Sequence, residues 1–452
     1  MLIPVPLSSL LGRERDIAMV TARLRDPHIR LLTLTGPGGV GKTRLALAAA
    51  SDVAGEFAAG ACFVPLGPIR DPRLVADVVA RALGLLDSSE PAPEQVIRHL
   101  RQRRLLLVLD NLEHLLAATP WIAALLAACP ALTVLATSRE RLRLHGEREL
   151  AVPPLAVPNR TRADSTEGLA GVAAVRLFVE RSREVEAAFV LTPENAGAVA
   201  EICRRLDGLP LAIELAAART KVLPPHALLA RLERRLPLLI GANRDTPERQ
   251  RTLRDAIAWS HDLLTPAERA CFRWLAVFVG GFTLTAADAV LGTVAAEGSG
   301  EAEAGYGFDH QTRALDLIES LVDKSLLRRD QATGTGKGAA EPRFAMLETV
   351  REFALERLDA SGELETARQA HASFYLALAE RAEPEVVGRD QGLWLGRLDA
   401  DIDNLRATLG RALAASEGST ATALQLAGAG TSVGHRPRPS DAGGHDAAAR
   451  RP

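Results

Sequence analysis

Lysine is nearly missing from this chain: of 54 basic residues only Lys42, Lys221, Lys324 and Lys337 carry an ammonium group. With 56 acidic residues the formal net charge is −2, which excludes a globally basic nucleic-acid binder and leaves only local patches for such a role. Cysteine is sparse too. Cys62, Cys129, Cys203 and Cys271 stand far apart, with no CxxC pair and no clustered histidines, so neither a zinc site nor a disulfide scaffold is suggested. Free thiols in a reducing, cytoplasmic setting are expected. The first ten residues lack the charged start and long apolar run of a secretory signal. One uncharged run of 22 residues, Leu115 to Ala136, has the length to span a bilayer. Pro120 and Pro130 cut it into a short helix and a strand-like piece, so no membrane segment is expected.

At 452 residues the chain exceeds what one core supports, and three or four domains are expected. Its first part alternates short apolar runs with helical stretches, the pattern of a parallel sheet with helices on both faces. Strands are predicted at 29–35, 61–66, 104–110, 131–138 and 147–155. After a polar linker at 158–170 the period turns helical to about 240, and an arginine-rich junction follows at 241–254. Further helices, broken by a Gly/Glu-rich loop at 293–308, lead to a hairpin from 324–330 and 342–347, the outline of a winged helix. Helix returns from 348 to 427, with an amphipathic repeat at 394–413. In the tail, 428–452, Val433 is the lone bulky apolar residue, and disorder is predicted.

Chemistry is concentrated in "GPGGVGKT", Gly36 to Thr43, which fits G-x-x-x-x-G-K-[ST] between a predicted strand and a predicted helix. In such a loop Gly36, Pro37, Gly38, Gly39, Val40 and Gly41 curl so that backbone N–H groups face a phosphate, and the helix N-terminus beginning near Arg44 adds partial positive charge. Lys42 would reach the β- and γ-phosphates of ATP, and the Thr43 hydroxyl would hold Mg²⁺. "LLVLDNLEH" places Asp110 at the end of a buried strand, as the partner carboxylate for the metal. Glu113 is either the acid that polarises the attacking water or the first-turn acid of a following helix. Arg139 is placed to reach the γ-phosphate, and a surface salt bridge explains its position equally well. A lookalike, "TGTGKGAA" at 333–340, lacks the hydroxyl residue after its lysine and reads as the turn of the hairpin.

Taken in order, "LLGRERD" (10–16), "GPGGVGKT", "LLVLDNLEH", "LATSRERL" (135–142), "RRLDGLPLAIELAAAR" (204–219), "LRDAIAWSHDLL" (253–264), "FRWLAVFVGGF" (272–282), "LVDKSLL" (321–327) and "MLETVREFALERL" (346–358) resemble the signal-transducing ATPases with numerous domains. The chain looks closest to the bacterial ATPases allied to large transcriptional regulators, which share their nucleotide-binding plan with NB-ARC switches. The resemblance covers residues 6–427. It implies a P-loop nucleotide-binding domain (1–157), a helical lid (171–240), a winged helix (250–350), a helical region opening a TPR-like array (351–427) and the tail (428–452). It also implies that Gly12 and Arg13 line the adenine pocket, that Pro210 packs against the base, and that Arg139 is the sensor arginine. Members trap ADP in a closed form and open on exchange for ATP.

Three departures qualify the match. Asn111 stands where many relatives have a second acid, so hydrolysis is slow or rests on Glu113. Leu347 replaces the histidine that reads the ADP β-phosphate. The sequence after Ala427 turns into the Pro/Gly/Arg tail where relatives continue into repeats, and it reads as a truncation or frameshift. The expected function is a slow regulatory ATPase using ATP/ADP and Mg²⁺, with protein partners or self-association through the C-terminal helices. The competing expectation is a transcription regulator that binds DNA through the winged helix. No separate reading helix is visible, so direct DNA binding is not the favoured role.

Overall fold

The computed structural model describes residues 3–4, 9–85, 90–159, 165–232, 253–297, 310–330 and 341–414. The predicted tail, the 333–340 turn and most of the 241–254 junction lie outside these residues.

Five strands, β1 (Leu31–Thr35), β2 (Ala61–Pro65), β3 (Leu106–Asp110), β4 (Thr133–Thr137) and β5 (Glu147–Ala151), form a wholly parallel sheet in the order β2-β3-β4-β1-β5. Each lies within a predicted run. β1 and β3 are buried along their whole length and are predominantly apolar, with only Thr33, Thr35 and Asp110 polar, as suits parallel strands covered on both faces. Alternate residues feed two cores: Leu31, Leu107 and Val134 pack on one face, Leu32, Val108 and Leu135 on the other. The run from Leu115 to Ala136 becomes the helix Thr119–Ala128, with Pro120 in its first turn, followed by β4. No described helix is long and apolar enough to cross a membrane.

Beyond the sheet, the helices Ala173–Val185, Pro193–Arg205, Pro210–Ala217 and Pro225–Arg231 carry the chain to residue 231. Next come Leu253–Asp262, Pro266–Trp274, Leu284–Glu297 and His310–Asp323, with a three-stranded antiparallel sheet of β6 (Phe282–Thr283), β7 (Arg328–Asp330) and β8 (Arg343–Ala345) in the order β6-β8-β7. Two details differ from the sequence reading. Helix continues to Glu297, into the first residues of the loop placed at 293–308, and the rest of that loop lies outside the described residues. Strand β6 was not predicted, since two residues are too short for a period-2 pattern.

Helices Glu348–Ala360, Leu364–Glu385, Gln391–Ala400 and Ile402–Ala414 follow. The amphipathic stretch 394–413 is therefore two helices broken at Asp401. That residue is buried, and its carboxylate accepts from Arg343 Nη2 at 2.8 Å and from the Tyr375 hydroxyl at 3.3 Å. Next to it, Asn404 is fully buried: its Oδ1 accepts the Val279 N–H (2.7 Å) and its Nδ2 donates to the Gly281 carbonyl (2.8 Å). These bonds clasp the "FVGGF" turn to the last helices.

One continuous apolar cluster runs from Leu34 of the sheet through Phe178 and Ile213 to Phe272, Phe353 and Tyr375. The sheet, the first helical group and the second are thus packed as one body. Two tight contacts hold them. Gly208, at φ 67°, lies so near the Leu155 carbonyl that an added Cβ would stand 2.2 Å from that oxygen. Asp207 Oδ2 accepts from the N–H (3.0 Å) and hydroxyl (3.2 Å) of Thr349 and so caps the Glu348–Ala360 helix, whose own cap residue, Leu347, has no side-chain acceptor.

Candidate functional site

All the polar residues singled out after β1, β3 and β4 sit at the carboxyl edge of the sheet, where an open α/β sheet binds ligands. β1 ends at Thr35 and the chain turns through 36–41 into the helix Lys42–Val53. The first turn of that helix contains no acid, so its positive dipole end suits an anion. Gly39 has φ 79°, and a Cβ there would stand 2.9 Å from the Leu211 Cβ. Leu211 also donates its N–H to the Gly39 carbonyl at 3.2 Å, so the start of the Pro210–Ala217 helix rests on the loop.

Lys42 Nζ is turned back onto the loop, donating to the carbonyls of Gly36 (2.6 Å) and Pro37 (3.1 Å). Burial lowers its pKa to about 8, with Arg139 adding to the effect and Glu113 and Asp110 opposing it. Two weak carbonyl acceptors are a poor match for a buried ammonium, and a phosphate would be a better one. Asp110 is buried, and its Oδ1 accepts from both the Thr43 and Thr137 hydroxyls at 2.6 Å. Burial raises its pKa, and those two hydroxyl bonds pull the other way. A hydroxyl and a carboxylate in contact form a hard oxygen donor set that fits Mg²⁺. Among the described residues no group of three or more His, Cys, Asp or Glu could hold a metal. Magnesium would therefore complete its shell with phosphate and water, as it commonly does.

Glu113 does not sit in the first turn of an α-helix; the next one starts at Thr119. Its carboxylate is buried, with Oε1 accepting from Arg139 Nε and from Asn111 Nδ2, each at 3.2 Å. Oε2 is buried and has no partner. Burial alone would raise the pKa of Glu113, but Arg139 and Lys42 outweigh it and hold the group below its ordinary value. Nor is Arg139 at the surface. Only 7% of it is exposed, and its Nη1 donates to the carbonyl of Ala256 at 3.0 Å. The Arg139 carbonyl accepts from the Ser325 hydroxyl (2.6 Å), and Arg143 pairs with Asp323 at 2.8 Å. The loop and the Leu253–Asp262 helix meet directly: a Cβ on Gly38 would lie 3.3 Å from the Ala256 oxygen.

The residues assigned to the base lie on the other flank. Gly12 packs on Ala173, and Arg13, buried, donates to the Val40 carbonyl at 2.9 Å and pairs with Asp16. Arg44 reaches Glu214 and the Ser9 carbonyl, and Arg181 binds the same Glu214. Pro210, half-buried, opens its helix at the edge of the phosphate loop. Sequence reasoning missed Thr137, Leu211, Ala256 and Ser325. Thr137 had a signal, a hydroxyl at the end of a buried strand. Ala256 acts through its carbonyl and had none.

No family model matches the chain. A protein of Mycobacterium tuberculosis named as an HTH-type transcriptional regulator is 42% identical over 400 residues, 88% of this chain and 41% of that protein. This chain thus spans about two fifths of that relative's length. An uncharacterised protein of the same species is 40% identical over 359 residues, 79% of this chain and 83% of its own length. The regulatory protein AfsR of Streptomyces griseus is 27% identical over 406 residues, 83% of this chain and 36% of AfsR. A crystal structure of a signal transduction ATPase with numerous domains that has a tetratricopeptide repeat sensor, from Pyrococcus horikoshii, aligns with 93% of this chain and 58% of that one, at 14% identity and a TM-score of 0.30, too loose a likeness to carry weight. With 40% identity over 83% of its length, the uncharacterised mycobacterial protein and this chain belong to one family, and the ordered motifs lie, as the resemblance to the signal-transducing ATPases with numerous domains implies, in a parallel α/β sheet followed by helical modules.

Proposed function

We propose that this chain is a nucleotide-governed switch that binds ATP or ADP with Mg²⁺, hydrolyses ATP slowly and converts the state of the nucleotide into a rearrangement of its modules. One observation carries the reading: the Arg139 guanidinium is shared between Glu113 beside the phosphate loop and the Ala256 carbonyl of the Leu253–Asp262 helix. A terminal phosphate would compete for that guanidinium, because a charged phosphate is a stronger acceptor than a carbonyl. Binding at the loop then biases the contact with the 253–262 helix, as a ligand with different affinities for two arrangements must.

In this reading the switch has a nucleotide-binding domain at 1–157, a helical lid at 171–240, a winged helix at 250–350 and helices opening a repeat region at 351–427. Lys42 and the loop N–H groups hold the phosphates, and Thr43 and Asp110 hold the magnesium, which supplies charge neutralisation when bound. Glu113 polarises water, Arg139 senses the terminal phosphate, and Gly12, Arg13 and Pro210 enclose the base. The site lies in a protein whose relatives are named as transcriptional regulators, which supports a role in signalling or transcriptional control.

Denaturing freshly purified protein and identifying the released nucleotide, followed by single-turnover hydrolysis, tests the proposal. Adenine nucleotide in the released fraction and slow Mg²⁺-dependent turnover are expected, with Asp110→Asn binding ATP but not hydrolysing it. Normal turnover in that variant would remove the metal role. A second reading, direct DNA binding through the winged helix, draws on the HTH label of the 42%-identical relative. A sequence-selective gel shift that survives near-physiological salt would favour it.

A further inference from the structure

Resting on the hydrolytic reading above, we infer that Asn111 is a positioning residue that aims Glu113, leaving Oε2 as the one atom that accepts the proton of the attacking water. The two oxygens of Glu113 are treated differently by the fold. Oε1 takes the Asn111 amide and Arg139 Nε, each at 3.2 Å. Oε2 lies buried with none. A buried carboxylate oxygen without a donor costs about 1–3 kcal/mol, so the arrangement is poor as static structure and suited to a donor that arrives with the reaction.

Asn111 is itself fixed. Its N–H donates to the Thr137 hydroxyl at 2.9 Å, and that hydroxyl donates to Asp110 Oδ1 at 2.6 Å. Its backbone takes φ 68°, a left-handed conformation that asparagine tolerates better than most residues. The amide lies two residues along the chain from the carboxylate it binds. The pair of acids often found after such a strand is replaced here by one acid and one amide. The amide stabilises the ionised Glu113, whereas a second carboxylate would repel it.

The step so aimed is balanced as follows. The oxygen of water bonds to the terminal phosphorus of ATP, and one water O–H bond breaks with its proton passing to Oε2. The electron pair of the broken phosphorus–oxygen bond leaves with ADP. Arg139 and Lys42 favour the ionised Glu113 before the step, and Asp110 is the neighbouring acid that opposes it.

A bland alternative is that Asn111 serves only the left-handed turn. Glycine separates the two, because it satisfies φ 68° at no steric cost and removes the amide. Asn111→Gly is expected to melt near the wild-type temperature and to bind ATP within about twofold of wild type, while its single-turnover rate falls roughly tenfold, general-base catalysis being worth about 10²–10⁴. Because Asn111 acts through Glu113, the same change added to Glu113→Gln should cause little further loss of rate. A wild-type rate in Asn111→Gly, or a full additional loss in the Glu113→Gln background, overturns the inference. Wild-type protein that binds ATP without ever hydrolysing it also overturns the inference and leaves nucleotide binding standing. Failure to bind nucleotide at all overturns the switch reading itself.

Discussion

Replacing Arg139 with methionine tests the joint at the centre of this molecule. The side chain is 9% exposed and its partner Glu113 only 2%, so the substitution removes one member of a buried ion pair and keeps most of its volume. Breaking such a pair typically costs about 3–5 kcal/mol, chiefly because the remaining charge is left uncompensated. Here the Asn111 amide and the Lys42 charge still face Glu113, which argues for the lower end, about 3 kcal/mol. Equilibrium urea unfolding followed by circular dichroism reads the cost. Adding Glu113→Gln should recover a large part of it, roughly 2 kcal/mol, because the uncompensated carboxylate is removed while Asp110 still faces the buried Lys42 ammonium.

The dependence on pH has a definite sign. In the wild type the pKa of Glu113 is held below the ordinary 4.5, so its contribution is complete above that value and lost as pH falls through the folded pKa. Without Arg139 the largest stabiliser of the carboxylate is gone and burial, which raises the pKa, gains the upper hand. The penalty of Arg139→Met should therefore be greatest at neutral pH and shrink on acidification, as Glu113 takes up a proton. An Arg139→Met protein within about 1 kcal/mol of wild type at neutral pH, and indifferent to Glu113→Gln, would refute the buried pair.

Other outcomes follow from neighbouring contacts. Lys42→Ala should abolish nucleotide binding in a fluorescent-nucleotide titration, and unchanged affinity would sink the phosphate assignment. In the wild type, affinity should fall as pH rises through about 8, where the buried ammonium loses its proton. Gly208→Ala would set a methyl 2.2 Å from the Leu155 carbonyl, so thermal melting should show a loss above about 2 kcal/mol; an unchanged melt would mean the two segments are not in contact. Asn404→Ala strands the Val279 N–H and the Gly281 carbonyl in the interior, at about 1–3 kcal/mol for each unpaired group. Hydrogen exchange at 279–281 should accelerate, and exchange equal to wild type would count against the clasp.

The helical stretches were legible in outline and their ends were not. Helix continues past 293 to Glu297, where the residues suggested loop, and breaks at Asp401 inside an unbroken amphipathic pattern. The second difference has a tertiary cause that periodicity cannot carry: Arg343 and Tyr375 take the Asp401 carboxylate where the helix ends. Within the site, Lys42, Thr43 and Asp110 were readable because each occupies a fixed place relative to a buried strand. Glu113 and Arg139 were ambiguous because a carboxylate and a guanidinium at those spacings suit a solvent-exposed surface equally well.

The sequence by itself determined the five strands and their sheet, since runs such as "LLTLT" and "LLVLD" have no stable place except between two covered faces. It also determined the phosphate loop, because a glycine-rich turn followed by lysine and threonine at the head of a helix is set by local chain geometry. Only the tertiary structure decided that the loop would lie beneath Leu211 and beside Ala256 and that Arg139 would face inward. It alone left one oxygen of Glu113 without a donor. The contacts with Leu211 and Ala256 join residues more than 100 positions apart through backbone carbonyls, and a carbonyl has no letter in the sequence; the Glu113 pairings are closer in the chain but depend on how its side chain is buried.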